Sequence, residues 1–124
     1  QGSGTLTQVL RNTRISFGAV GVPSSGGYIL GYRAHTAAPL YEMAINGSVV
    51  ATNTAAFTVA NPPNSIGSST STNKLTGLYG ELILVNAEVS LDNRQRIEGY
   101  LAWKWGLQGN LAINHPYKNF PPRV

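Results

Sequence analysis

The segment 90–107, SLDNRQRIEGYLAWKWGL, constrains the fold of this 124-residue chain more than any other part of it. Ser90 can accept a hydrogen bond from a free backbone N–H of a first helical turn, and Asp92 sits where a negative charge suits the positive helix end. Asn93 is too short to reach back as a Glu would, so the cap is half of a capping box. Ile97, Tyr100, Leu101, Lys104 and Trp105 follow the three-and-four spacing of one helical stripe, which predicts that this face is buried while Arg94, Arg96 and Glu98 stay wet. Gly106 is placed to end the helix. The tail HPYKNFPP at 115–122 is then expected to cover Trp103, which points away from the stripe.

Composition narrows the remainder. Apolar and aromatic residues make up 42% of the chain and charged residues only 11%, a balance that favours an ordered, strand-rich surface protein over a charged helical one. Nine Lys and Arg against five Asp and Glu give a net charge of +4. The basic residues are dispersed along the chain, which excludes a nucleic-acid stripe. There is no cysteine, and so no disulfide, thiolate metal site or cysteine nucleophile. No apolar run reaches the roughly 20 residues of a membrane helix, so no membrane partner is expected. The first residue is Gln1 and not Met, which leads to the expectation of a trimmed or partial product of a longer reading frame.

The order of elements is that of a β protein. Residues 1–12 are expected to be a flexible N-terminal lead with a short strand at 6–10, and residues 13–124 a single domain. RISFGAV (14–20) alternates with period two. After a turn at 22–27, YILGYRAH (28–35) resumes as a strand. A hairpin follows: 40–45, the Asn46-Gly47 pair, and 48–52, with Tyr41, Met43 and Ile45 on one face and Leu40, Glu42 and Ala44 on the other. Asn-Gly tolerates the positive φ angles of a type I′ turn. Residues 53–65 read as a polar loop with an Asn61-Pro62-Pro63 corner, 65–68 as a short strand, and 68–74 as a polar loop tip. GLYGELILVN (77–86) is apolar on both faces and is predicted to be a central strand covered on two sides.

The strand at 80–86 followed by the helix at 90–107, and the His115-Pro116-Tyr117-Lys118 tail, resemble the C-terminal end of concanavalin A-like, laminin-G-type domains of phage and bacterial surface proteins. That resemblance implies an all-β, antiparallel β-sandwich of jelly-roll type with one C-terminal helix at about 90–105. Complete domains of that type are longer, so the missing strands are expected from an upstream segment or a neighbouring chain.

Chemistry-bearing residues are few. The five acids, Glu42, Glu81, Glu88, Asp92 and Glu98, show none of the two-and-four spacing that sandwich-fold glycosidases use, so no enzyme is expected. His35 and His115 are far apart with no acid beside either, so no metal or cofactor is expected. His115 is read as a loop residue packing the tail, and Glu81 as an ion-pair partner. Tyr32, Arg33 and His35 at a strand end, together with Trp103, are the candidate ligand-binding residues, because sugar rings stack on Tyr and Trp while Arg and His fix hydroxyls. The expectation is therefore a non-catalytic structural or interaction module of a virion or cell surface, extracellular or virion-borne, contacting other copies of itself or neighbouring virion proteins. A glycan-binding adhesion module that recognises host polysaccharide is the alternative.

Overall fold

The structure, a computed structural model, describes residues 5–10, 13–19, 21, 23, 25–54 and 77–123. Strands β1 (Thr5–Leu10) and β2 (Thr13–Ala19) pair antiparallel, with Leu10 opposite Thr13. Strands β3 (Leu30–Ala34), β4 (Tyr41–Ile45) and β5 (Ser48–Asn53) form a three-stranded antiparallel sheet in the order β3–β4–β5. Strand β2 lies against β5. Helix α1 spans Leu91–Lys104, and a short 3-10 turn follows at Gln108–Asn110. The corner, strand and loop expected within 55–76 lie outside the described residues.

The Asn46-Gly47 hairpin forms as its residue types dictate. Asn46 and Gly47 take φ values of 51° and 84°, the type I′ combination that matches the twist of the strands it joins. The turn is also a junction. The Asn46 backbone N–H donates to the Ile29 carbonyl at 2.9 Å, and its side-chain oxygen accepts from the Ile29 N–H at 2.9 Å. Its own carbonyl accepts from the Ala112 N–H at 3.1 Å, so one residue ties the hairpin to the start of β3 and to the C-terminal tail.

Alternation along β4 divides the sheet into two faces. Tyr41, Met43 and Ile45 are buried on one, where Met43 and Ile45 pack with Tyr28 and Ala51, and the Tyr32 ring stacks on Tyr41 at 6.0 Å. The other face presents Gly31 and Arg33 from β3 and Glu42 and Ala44 from β4 toward α1. Beside it, Ile29, Ala102 and Leu111 form a second cluster with Leu101 and Leu107.

Helix α1 begins and ends as its sequence indicates. The Ser90 hydroxyl accepts from the Asn93 N–H at 3.3 Å. At the other end Gly106 adopts φ 68° and the Leu107 N–H returns to the Ala102 carbonyl at 2.7 Å, the closing bond of a Schellman motif. The buried stripe differs from expectation. Glu98, Gly99 and Ala102 are the buried residues, whereas Tyr100 and Trp105 are 43% and 48% exposed and Lys104 is also exposed. The cause lies across the interface: the facing sheet surface carries Arg33 and Glu42 beside Gly31 and Ala44, and it accepts charges and small residues from the helix in preference to rings.

The expected jelly-roll sandwich is corrected by this architecture. Among the described residues there is one three-stranded antiparallel sheet, one two-stranded hairpin and a helix, too small and incomplete a set of strands for a sandwich. A helix, not a second sheet, covers the Arg33/Glu42 face, giving a helix-on-sheet layer. The expected central strand at 77–86 takes no part in either sheet. Gly80 passes under the Trp105 ring, where an added Cβ would sit 3.1 Å from the indole. The chain there is fixed to the helix by side chains instead of by a strand ladder.

The tail crosses α1 at Gly99, where an added Cβ would lie 2.6 Å from Tyr117 Cβ. Replacing Gly by Ala inside a helix ordinarily gains up to about 1 kcal/mol. Gly99→Ala should reverse that sign and destabilise the protein by about 1–3 kcal/mol through overpacking, measured by chemical denaturation; a more stable Gly99→Ala variant would remove the close crossing from the structure.

Candidate functional site

The densest group of chemistry-bearing side chains lies between the sheet and the first turns of α1. Arg33 and Glu42 stand directly opposite each other on β3 and β4. The Arg33 guanidinium donates to the single oxygen Oε2 of Glu42 through Nη2 at 2.6 Å and Nε at 3.1 Å, and through Nη1 to the Val89 carbonyl at 3.1 Å. Arg94 approaches the same Glu42 oxygen at 3.5 Å and Glu98 Oε1 at 3.4 Å, bridging the outer and inner carboxylates. At the inner end Glu98 Oε2 meets His115 Nε2 at 3.2 Å, with side-chain exposures of 4% and 1%. His115 Nδ1 accepts from the Tyr117 N–H at 3.2 Å, so the ring proton belongs on Nε2, pointing at Glu98.

At the solvent edge His35 stands between two carboxylates, with Nε2 3.1 Å from Glu42 and Nδ1 3.2 Å from Glu88. Arg33 Nε lies 3.0 Å from the same His35 nitrogen. Glu88 takes further bonds from the Thr36 N–H and hydroxyl, at 3.3 and 3.0 Å. Both nitrogens of each histidine are thus engaged within the chain. The expectation that neither histidine has a neighbouring acid holds only along the sequence. Folding brings Glu88 from 53 residues away to His35 and Glu98 from 17 residues away to His115.

The electrostatics follow from these contacts. Burial pushes the Glu42 carboxyl up, but hydrogen bonds from His35 and Arg33 and their charge more than offset it, leaving the group below the ordinary carboxylate value. Glu88 is lowered chiefly by its two bonds from Thr36. Glu81 lies outside this cluster and is held by Lys104 Nζ at 3.0 Å, Trp105 Nε1 at 3.2 Å and the Tyr100 hydroxyl at 3.3 Å. It is lowered first by the Lys104 bond, and Lys104 is raised by its bonds to the Tyr100 hydroxyl and to Glu81.

Of the four candidate ligand-binding residues, the structure brings Arg33 and His35 together and places the other two apart. Tyr32 lies on the opposite face of the sheet, where burial, and then the nearby Tyr41, push its hydroxyl far above the ordinary value. Trp103 lies under the tail as expected, its Nε1 donating to the Tyr117 carbonyl at 2.9 Å. The sequence reading missed Glu42, Arg94, Glu98 and His115 as members of the cluster. One signal was available: opposite charges at Arg33 and Glu42, on strands whose alternation puts both on the helix-facing side. Among the described residues no group of three or more His, Asp or Glu is arranged to hold a metal ion.

Neither family models, curated proteins nor solved structures yield a match to this chain. The geometry therefore bears the functional reading.

Because Glu42, Glu81 and Glu88 are held below the ordinary carboxylate value of about 4.5 by their hydrogen bonds and neighbouring cations, the unfolded chain binds more protons than the folded one as the pH falls into that range. Their stabilisation is complete above about pH 4.5 and is lost as the pH drops through the lowered values. The thermal midpoint should fall steeply below that point. Glu42→Gln should cost about 1–3 kcal/mol at neutral pH, since it leaves Arg33 and Arg94 poorly paired at a partly shielded site, and it should make the acid-side decline shallower. An unchanged neutral-pH midpoint in Glu42→Gln would remove the network from the forces holding helix to sheet.

Proposed function

We propose that the chain is a non-catalytic structural or interaction module of a virion or cell surface, working through contact with other copies of itself or with neighbouring surface proteins. The observation that carries the reading is the apolar run at 78–85. Leu78 and Leu84 are 102% and 81% exposed, and Tyr79, Leu82 and Val85 are each more than half exposed. The run belongs to neither sheet, so its apolar side chains are left for a partner to cover. A contiguous apolar patch of this kind on a protein surface marks an interaction site.

Two further observations support the reading. All five acids are engaged inside the chain: Glu42, Glu88 and Glu98 in the cluster described above, Glu81 with Lys104, and Asp92 with Arg96 at 2.9 Å. A general base needs an open nitrogen or oxygen facing its substrate, and both histidines have each nitrogen occupied. The wording of 80–106 and of the 115–118 tail, which resembles laminin-G-type surface domains, favours the same setting. The glycan-binding alternative at Tyr32, Arg33, His35 and Trp103 gains no support from the geometry, since Arg33, His35 and Trp103 bond within the chain and Tyr32 lies on the far side of the sheet.

Light scattering coupled to size exclusion should find the protein in assemblies larger than one chain. Leu84→Glu should shift it to the monomer mass while leaving the far-ultraviolet circular dichroism unchanged, because Leu84 makes no core contact. A monomer at all concentrations, or a Leu84→Glu variant that assembles as before, counts against the proposal.

A further inference from the structure

We propose that Asn46-Gly47 is a self-modification site: the pair closes to a succinimide and reopens as isoaspartate, and the contacts of the native turn act as its guard. Asn46 is the one asparagine followed by glycine in the sequence. In the closing step the Gly47 nitrogen bonds to Asn46 Cγ, and its proton leaves with the side-chain amide as ammonia. Water then opens the ring at the main-chain carbonyl. The chain now continues through the former side chain, and the former main-chain carbonyl becomes a free carboxylate. Water is the only co-reactant. Gly47 has no Cβ to shield its nitrogen or to restrict the backbone, and both residues are part-exposed, so water reaches the turn.

The fold opposes the closing step. To bring Asn46 Cγ within bonding distance of the Gly47 nitrogen, both the side chain and the bond from Cα to the carbonyl must rotate. Side-chain rotation takes the Asn46 oxygen off the Ile29 N–H, its partner at 2.9 Å. Main-chain rotation swings the Asn46 carbonyl off the Ala112 N–H at 3.1 Å. It also moves Gly47 in a place with little room, since an added Cβ there would lie 2.6 Å from the His115 ring. The tail that supplies Ala112 and His115 is itself held to α1 by the Glu98–His115 contact at 3.2 Å and the Trp103–Tyr117 bond at 2.9 Å. Ring closure is therefore coupled to opening of the junction between hairpin and tail, and the native rate is the denatured rate scaled by the open fraction.

The product keeps that junction open. An isoaspartyl link adds one main-chain atom to a two-residue turn whose length sets the β4–β5 pairing, with Ile45 opposite Ser48. It also replaces the carbonyl that meets Ala112 with a carboxylate, in a turn that packs over Glu98; a Gly47 Cβ would stand 3.5 Å from that side chain's Oε2. Loss of ammonia makes the change one-way.

The native chain and the chain in strong denaturant are to be incubated at mildly alkaline pH, with each asparagine followed by peptide mapping and electron-transfer fragmentation, which separates isoaspartate from aspartate. In denaturant, isoaspartate should form at Asn46 ahead of every other asparagine. In the native chain it should form there at least about tenfold more slowly. Trp103→Phe removes the indole bond to the tail and should raise the native rate several-fold while leaving the denatured rate unchanged, with circular dichroism showing that it folds. Hydrogen exchange at the Ile29 and Ala112 amides gives a measure that needs no variant: small additions of denaturant should raise exchange and conversion in parallel. The converted protein, separated by ion exchange, should exchange both amides faster than the parent. Equal native and denatured rates, a native rate that does not follow amide exchange in the parent or in Trp103→Phe, another asparagine converting first in denaturant, or a converted protein with unchanged exchange at Ile29 and Ala112 would each overturn the assignment. None of these outcomes depends on whether the chain self-assembles through 78–85.

Discussion

The Glu98–His115 bond is the contact on which the rest of the described structure depends. It joins the middle of α1 to the tail, and it does so directly beneath the β4–β5 turn. An added Cβ on Gly47 would lie 2.6 Å from the His115 ring and 3.5 Å from Glu98. Gly47 is thus required twice, once for its positive φ and once for the ring that packs on it. Helix, hairpin and tail meet at this point, flanked by the Arg94–Glu42 ion pair from helix to sheet and the Trp103–Tyr117 bond from helix to tail. A buried carboxylate is costly unless it is paired: Glu98 Oε2 meets His115, and Oε1 lies 3.4 Å from Arg94 Nε, close enough for charge attraction but without a hydrogen bond. Removing either ring or carboxylate leaves a polar group in a dry position, so the pair fixes the arrangement of its neighbours more firmly than its own net energy would suggest.

How much of this was legible in the sequence depended on the range of the interaction. Local rules succeeded. Ser90 caps the helix, Gly106 ends it, and Asn46-Gly47 turns the chain between β4 and β5, because in each case the requirement is set within four residues. The placement of Trp103 beneath the tail was also readable, since its side of the helix follows from spacing alone. The buried stripe of α1 was not readable. A stripe of apolar residues predicts burial when the opposing surface is apolar, but here the opposing surface is Gly31, Arg33, Glu42 and Ala44. The helix turns its Arg94, Glu98 and Ala102 side inward and leaves Tyr100 and Trp105 to be partly covered by Glu81 and Gly80. The register that creates this surface comes from pairing β3 with β4, which no local pattern encodes.

The run at 77–86 illustrates the opposite failure. Its composition describes a strand with both faces covered, and a composition of that kind specifies an environment, not the chain that provides it. The sandwich expectation rested on supplying that environment from within. In the structure α1 already occupies the helix-facing side of the three-stranded sheet, and the run lies beside the helix, held at Gly80 and Glu81 and again at Glu88 and Val89. Its two ends are anchored while its apolar middle faces outward.

The scarcity of acidic residues then acquires a physical meaning. With only five carboxylates, each tied to a cation, histidine or hydroxyl inside the chain, the fold uses its whole supply of negative charge to position its own elements. Of the pairs they form, the Asp92–Arg96 bond is the most exposed and the most easily exchanged. Among the described residues, what stays exposed beside α1 includes the apolar run at 78–85 and the Arg96 side chain. The same accounting explains the net charge of +4: the excess arises because acids are few, five against nine Lys and Arg.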